Sequence, residues 1–133
     1  MATPFEAFLV TPEREVWSGR ATLVVARGTE GEVGILAGHA PMLIQLGIGP
    51  LFVDPAEGAR IAAAIDGGFL HVVTNRGETR VDILAEHAEL MDEIDLDKAR
   101  QEKAEAERKI QNNEDAGAIS QLAKAVTRID LVG

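Results

Sequence analysis

Few side chains in this chain could do chemistry. Three histidines occur in 133 residues, and no cysteine. The missing cysteines remove disulfide frameworks, thiolate zinc sites and thiol nucleophiles together, and they fit a cytosolic location. His71 lies inside an apolar run and reads as a hydrogen-bonded strand residue, His39 follows a glycine in a loop, and His87 stands in a linker. No nucleophile elbow and no spaced ligand pair accompanies them, so neither a catalytic nor a metal site is assigned. A hydrolase built on His39 and a nearby carboxylate would lack its nucleophile. The run Gly28-Thr29-Glu30-Gly31-Glu32-Val33-Gly34-Ile35-Leu36-Ala37-Gly38-His39-Ala40-Pro41 has glycines spaced as in a phosphate cradle. It lacks the Gly-Lys-Ser/Thr ending, opens no helix and carries two carboxylates that repel phosphate, which excludes a nucleotide P-loop. Taken alone it is a tight hairpin followed by a Gly-rich loop.

The elements that must position these residues follow two building plans. All five Pro, every aromatic residue and eleven of the thirteen Gly lie before residue 87, and every Lys lies after it. The expected fold is α+β: an antiparallel β-sandwich over residues 1–86, a linker over 87–93 and an antiparallel two-helix hairpin over 94–133. β-branched and aromatic runs predict strands at 5–10, 15–17, 22–26, 33–36, 48–53, 61–65, 69–74 and 79–84. Turn chemistry separates them at Ser18-Gly19, 28–31, 54–58, Asp66-Gly67-Gly68 and Asn75-Arg76-Gly77. Alternation in the last strand sets Val81 and Ile83 on one face, Arg80 and Asp82 on the other. The net charge of −9 repels nucleic acid. Met1 to Glu6 lack the basic patch and apolar run of an export signal, and the most apolar stretch, 61–73, is broken by Asp66 and too short to span a membrane.

After residue 87 the period changes. Asp95 is an N-cap, and Leu96, Ala99, Lys103, Ala106 and Ile110 trace one helical stripe, supported by Glu105 and Lys109 as an i,i+4 pair. The run 112–115 breaks the pattern, Asp115 caps a second helix, and Ile119, Leu122, Val126 and Ile129 form its stripe. Two amphipathic helices joined by a tight polar turn read as an antiparallel hairpin. The first helix offers mainly Ala, so at about 25 cal/mol per Å² the seam is thin and the pair depends on what it lies against. Closed, the hairpin is about 27 Å long; opened into one rod it would reach about 55 Å. A stiff sandwich carrying an extensible arm reads as a switch or a strut.

Several segments together point further: Thr11-Pro12-Glu13-Arg14-Glu15-Val16-Trp17-Ser18-Gly19, Glu30-Gly31-Glu32-Val33-Gly34-Ile35-Leu36, Gly38-His39-Ala40-Pro41-Met42-Leu43, Asp66-Gly67-Gly68-Phe69-Leu70, and Ile94-Asp95 opening an Ala-rich helix. In order and spacing they resemble the epsilon subunit of the rotary F-type ATP synthase over nearly the whole chain. Ala37 departs from the Pro usual before this Gly-His pair.

The resemblance implies a sandwich of about ten strands plus a helix pair, with no catalytic site of its own. It implies a place in the central stalk, against the gamma subunit and on the polar loops of the membrane rotor ring, coupling proton flow to ATP synthesis. The expected setting is peripheral, on the cytoplasmic face of the cell membrane without insertion into it. By match, Glu30, Gly31, Glu32 and His39 contact the ring, the carboxylates through charge complementarity and Gly31 through close backbone approach. The hairpin is the family's regulatory element, permitting turnover when folded down and blocking hydrolysis when extended toward the alpha/beta head. With only Lys124 and Arg128 against Asp130 on the last helix, modest inhibition is expected. No cofactor is required. Some members bind ATP as a regulatory ligand between sandwich and hairpin, and here Ile94, Asp95, Lys98 and Ala99, with Lys124 and Arg128, match that signature, except that Lys98 replaces an Arg and loses its planar fork. An ATP-sensing module is the alternative function.

Overall fold

In the computed structural model, residues 2–113 and 116–133 are described. The strands are β1 (Phe5–Val10), β2 (Glu15–Gly28), β3 (Gly31–Ile35), β4 (Met42–Pro55), β5 (Ile61–Asn75), β6 (Glu78–Ala85) and β7 (Ala88–Leu90). A 3-10 turn (Met91–Glu93) leads into α1 (Leu96–Gln111) and α2 (Ala118–Val132). The sheet order is β1-β6-β5-β4-β2-β3, with β7 added to β5, and β1 also pairs with β2 so that the sheet returns on itself. β1 and β6 run parallel, Leu9 beside Ile83, whereas the other pairings are antiparallel. The expected sandwich and helix pair are present, with that one parallel ladder as a departure.

Alternation along the strands makes the core. Phe5, Leu9, Val24, Ile35, Leu51, Val53, Leu70, Val72, Val81 and Ile83 are fully buried. Each such side chain contributes about 1.5–3 kcal/mol relative to exposure, so the stability of the molecule is concentrated here. In β6 the expected faces hold: Val81 and Ile83 point in, while Arg80 and Asp82 pair outside at 3.2 Å with the Arg80 guanidinium over the Phe8 ring.

Two expected turns lie inside strands instead, so two pairs of expected short strands merge into the long β2 and β5. Gly19 is in register with Ala7 within β2, and the Trp17 ring covers it so closely that a Cβ would come within 2.9 Å. Asp66-Gly67-Gly68 is a bend within β5, with φ of 80° and 130° at the glycines. Before the bend β5 pairs with β7, and after it with β6. Glycine allows this change of partner because it adopts positive φ without steric cost. Residues 87–93, expected as a linker, contribute β7 to the sheet, since Ala63–Ile65 leave that edge of β5 open to Ala88–Leu90.

α1 starts at its expected cap, Asp95 accepting from the Lys98 amide at 3.1 Å, and ends before Asn113, whose φ of 53° closes the helix. Lys109 and Glu105 pair at 3.0 Å as expected. The cap expected at Asp115 lies outside the described residues; the described N-cap of α2 is Gly117. α2 packs on β4 and β5 as well as on α1. This two-sided packing shifts its buried positions to Ala118, Ala125 and Thr127 and leaves Ile119 70% exposed, contrary to the expected stripe.

Candidate functional site

A cleft of about 430 Å³ opens between the sandwich and the hairpin, and all six residues matched to nucleotide binding line it: Ile94, Asp95, Lys98, Ala99, Lys124 and Arg128. The elements explain the convergence. The cap at Asp95 starts α1 beside the sheet and puts Lys98 and Ala99 on its first turn, and the antiparallel return brings Lys124 and Arg128 of α2 to the same end. The Asp95 carboxylate is engaged in capping its helix.

Arg128 is the centre of the cleft. Its Nη1 and Nη2 donate to Asp66 Oδ1 and Oδ2 at 2.9 and 2.8 Å, its Nε donates to Glu89 Oε1 at 2.5 Å, and Nη1 also reaches the Lys124 carbonyl at 3.0 Å. The Arg128 and Asp66 side chains are 12% and 6% exposed. Burial works against the guanidinium charge, yet the bonds to Asp66 and Glu89 outweigh it and raise its pKa above the ordinary Arg value. The fork that grips a phosphate in other settings is here spent on carboxylates. Glu13, Asp66, Glu89, Asp95 and Glu102 in the lining face Arg14, Lys98, Lys124 and Arg128, so acids outnumber the Lys and Arg.

Asp66 and Glu89 are not among the residues expected from sequence. Asp66 reads there as a turn residue, and its signal is an isolated carboxylate inside the apolar run 61–73. The bend after it aims the carboxylate out of the sheet, where α2 arrives. A second ion pair secures the approach to α1: Arg14 Nη2 donates to Glu93 Oε1 at 2.7 Å, and the same oxygen accepts from the Leu90 amide at 3.0 Å. The Arg14 guanidinium, with the Leu90 amide, holds the Glu93 carboxyl below the usual carboxylate range.

The residues matched to ring contact occupy two places. Glu30, Gly31 and Glu32 form the exposed tip of the β2–β3 hairpin, where Gly31 has φ of 133° and a Cβ added to it would meet nothing within 4 Å. His39 lies at the opposite end of β3, in the loop leading to β4. Its Nδ1 is 2.7 Å from the Ala40 carbonyl, an acceptor, which puts a proton on Nδ1. Thr74 and Thr79 fasten this loop to the β5–β6 turn, Thr74 donating to the His39 carbonyl and Thr79 accepting from the Gly38 amide, both at 2.7 Å. His71 faces outward on β5, in register with Leu43 on β4 and Asp82 on β6. Around it Leu43, Phe69, Val73 and Leu84 are exposed, an apolar sheet face broken only by polar neighbours. Among the described residues no group of three or more His, Asp or Glu side chains could hold a metal ion, and no helix is long and apolar enough to cross a membrane.

Comparison with known proteins adds three findings. Residues 5–91 match the family model described as the ATP synthase, Delta/Epsilon chain, beta-sandwich domain. The ATP synthase epsilon chain of Streptomyces coelicolor is 43% identical over 106 residues, covering 80% of this chain and 82% of that one; its counterpart in Nocardia farcinica is 50% identical over 93 residues, covering 69% and 68%. Among solved structures, a chain in the Euglena gracilis mitochondrial ATP synthase, with OSCP, F1 and c-ring, superposes with a TM-score of 0.77 at 29% identity over 97% of this chain and 80% of that one. A chain of the Tetrahymena thermophila central stalk and c-ring shares the fold, with a TM-score of 0.64 at 15% identity.

Proposed function

We propose, for a chain that belongs to the ATP synthase epsilon family and is a non-catalytic central-stalk subunit of the rotary ATP synthase, that its sandwich couples the rotor ring to gamma while its hairpin restrains ATP hydrolysis. The observation that carries this reading is the contrast between the two parts. The sandwich closes over a continuous large-residue core, whereas among the described residues the buried side chains of the hairpin are only Ala99, Ala106, Ala118, Ala125 and Thr127, its larger apolar residues being half-buried or exposed. A groove of about 310 Å³ between α2 and the Ile48, Pro50 and Phe52 face of β4 leaves part of the boundary between hairpin and sandwich unfilled. Small side chains and an open groove give little burial, so a second position of the hairpin is close in energy.

The exposed tip at Glu30, Gly31 and Glu32 and the loop at His39 are the ring-facing groups, and the outward face at Leu43, Phe69 and Leu84 fits gamma. An apolar sheet face of this kind is more readily explained by a protein partner than by solvent. On this reading the chain lies peripherally at the cytoplasmic face of the membrane, beside the ring. Complexes assembled with the chain cut after Glu93, which keeps β7, should retain gamma and hydrolyse ATP modestly faster than with the full chain. No gain would contradict the regulatory reading, and a large gain would contradict the modest inhibition expected of a last helix with only Lys124 and Arg128. Charge reversal at Glu30 and Glu32 should lower ATP-driven proton pumping while hydrolysis and the melting temperature of the free chain stay unchanged.

ATP as a regulatory ligand is the second reading, and it is favoured by the convergence of six matched residues on one cleft. Calorimetric titration of the chain with Mg-ATP checks it: heat of binding that falls with Lys98→Ala supports the site, and no heat at millimolar nucleotide removes it.

A further inference from the structure

The contacts of Arg128 differ from those of every other basic residue in the cleft. Lys98 is exposed, Lys124 is half-buried, and Arg14 pairs with Glu93 at the exposed rim. Arg128 alone sits in a built seat: both oxygens of a nearly buried carboxylate bind it bidentately, a second carboxylate takes Nε, and a carbonyl of its own helix takes the remaining share of Nη1. The three acidic and basic partners come from three elements, the bend of β5, β7 and α2, so this cluster spans the boundary between sandwich and hairpin. A thin alanine seam cannot define one docked position, whereas a bidentate pair of fixed geometry can.

We propose that Arg128, seated on Asp66 and Glu89, is an internal latch that closes the hairpin without nucleotide, the two carboxylates occupying the guanidinium that a phosphate-bearing ligand would otherwise engage. The idea rests on the hairpin being the movable element described above. Opening exposes the Asp66 carboxylate and the guanidinium to water together, so the latch releases as a unit. A triphosphate entering the cleft meets Lys98 and Lys124 first and gains Arg128 only by displacing Asp66. Nucleotide therefore adds little to closure in this chain.

The absence of native cysteine permits clean spin labelling of the full chain at Glu57→Cys on the sandwich and Ser120→Cys on α2, both exposed sites. Pulsed-EPR distances on nucleotide-free protein should show one short, closed population that millimolar Mg-ATP leaves unchanged. Arg128→Ala should lower the closed-to-open ratio by about thirtyfold or more, as removal of one partner from a buried charged pair does. Arg128→Lys, a point charge without the planar fork that meets both Asp66 oxygens, should fall between. Because Arg128 is on the last helix, Trp17 fluorescence verifies that the sandwich is intact in each variant. Glu89→Gln, at a half-exposed position of β7, should loosen closure in the same direction and serves if Arg128→Ala does not fold. A wild-type chain that is open until Mg-ATP is added, or Arg128 and Glu89 variants as closed as wild type, would overturn the latch. Those outcomes leave the regulatory reading standing if removal of residues 94–133 still speeds hydrolysis. Conversely, unchanged hydrolysis on that removal ends the regulatory reading while a positive EPR result keeps the latch.

Discussion

Gly68 and Gly31 both hold positive φ, and their surroundings differ. A Cβ on Gly68 would lie 2.1 Å from the Leu84 carbonyl oxygen and 2.8 Å from Ala85 Cα, both backbone atoms that cannot swing aside, whereas one on Gly31 would meet open space. Gly68→Ala therefore adds steric overlap to backbone strain and should cost about 3 kcal/mol or more in chemical denaturation. Gly31→Ala carries the strain alone and should cost about 1–2 kcal/mol. Equal losses for the two would contradict the close approach at the β5 bend. That bend also aims Asp66 at Arg128, so Gly68 indirectly places the cleft's central ion pair.

The 3-10 turn and the start of α1 are held by polar contacts more than by burial. Glu93 accepts from Arg14 and from the Leu90 amide, and these bonds hold its carboxyl below the usual range. A lowered folded pKa means that the pair's stabilisation is fully present above the unfolded carboxylate value of about 4.3 and is lost as pH falls through the folded one. Both side chains are more than a third exposed, so solvent screening keeps the contribution small. Urea midpoints measured from pH 6 to pH 3 should fall less steeply for Glu93→Gln than for the wild-type chain, with the two curves converging at the acid end. Asp54, lowered by its bond to Arg60, acts in the same direction and remains in both proteins.

Across the molecule, large buried side chains are concentrated in the sandwich and alanine lines the hairpin seam. Stability should therefore be uneven. Amides of α1 and α2 should exchange with solvent well before those of β4 and β5, because the hairpin opens without disturbing the core. The chain cut after Glu93 should keep a cooperative melting transition near that of the full protein. Simultaneous exchange of helices and sheet, or loss of the transition on truncation, would show that the hairpin is part of the folding unit instead.

The two compositions, the alternation at Val81 and Ile83, the cap at Asp95 and the helical periods were legible in the chain, since each depends on neighbours within a few residues. The six residues of the hairpin that line the cleft were also nameable beforehand, through their resemblance to a family signature. The turn chemistry of Ser18-Gly19 and Asp66-Gly67-Gly68 misleads because glycine permits a bend in a continuous strand as readily as a reversal, and the choice belongs to β1, β6 and β7 alongside. Ile119 shows the same dependence: its period sets it on the stripe, but packing of α2 against both α1 and the sheet selects other positions. The pairing of Arg128 with Asp66 and Glu89 joins residues 62 and 39 positions apart. No local pattern encodes such a distance, and only the closed sheet with the hairpin returned onto it brings these charges together.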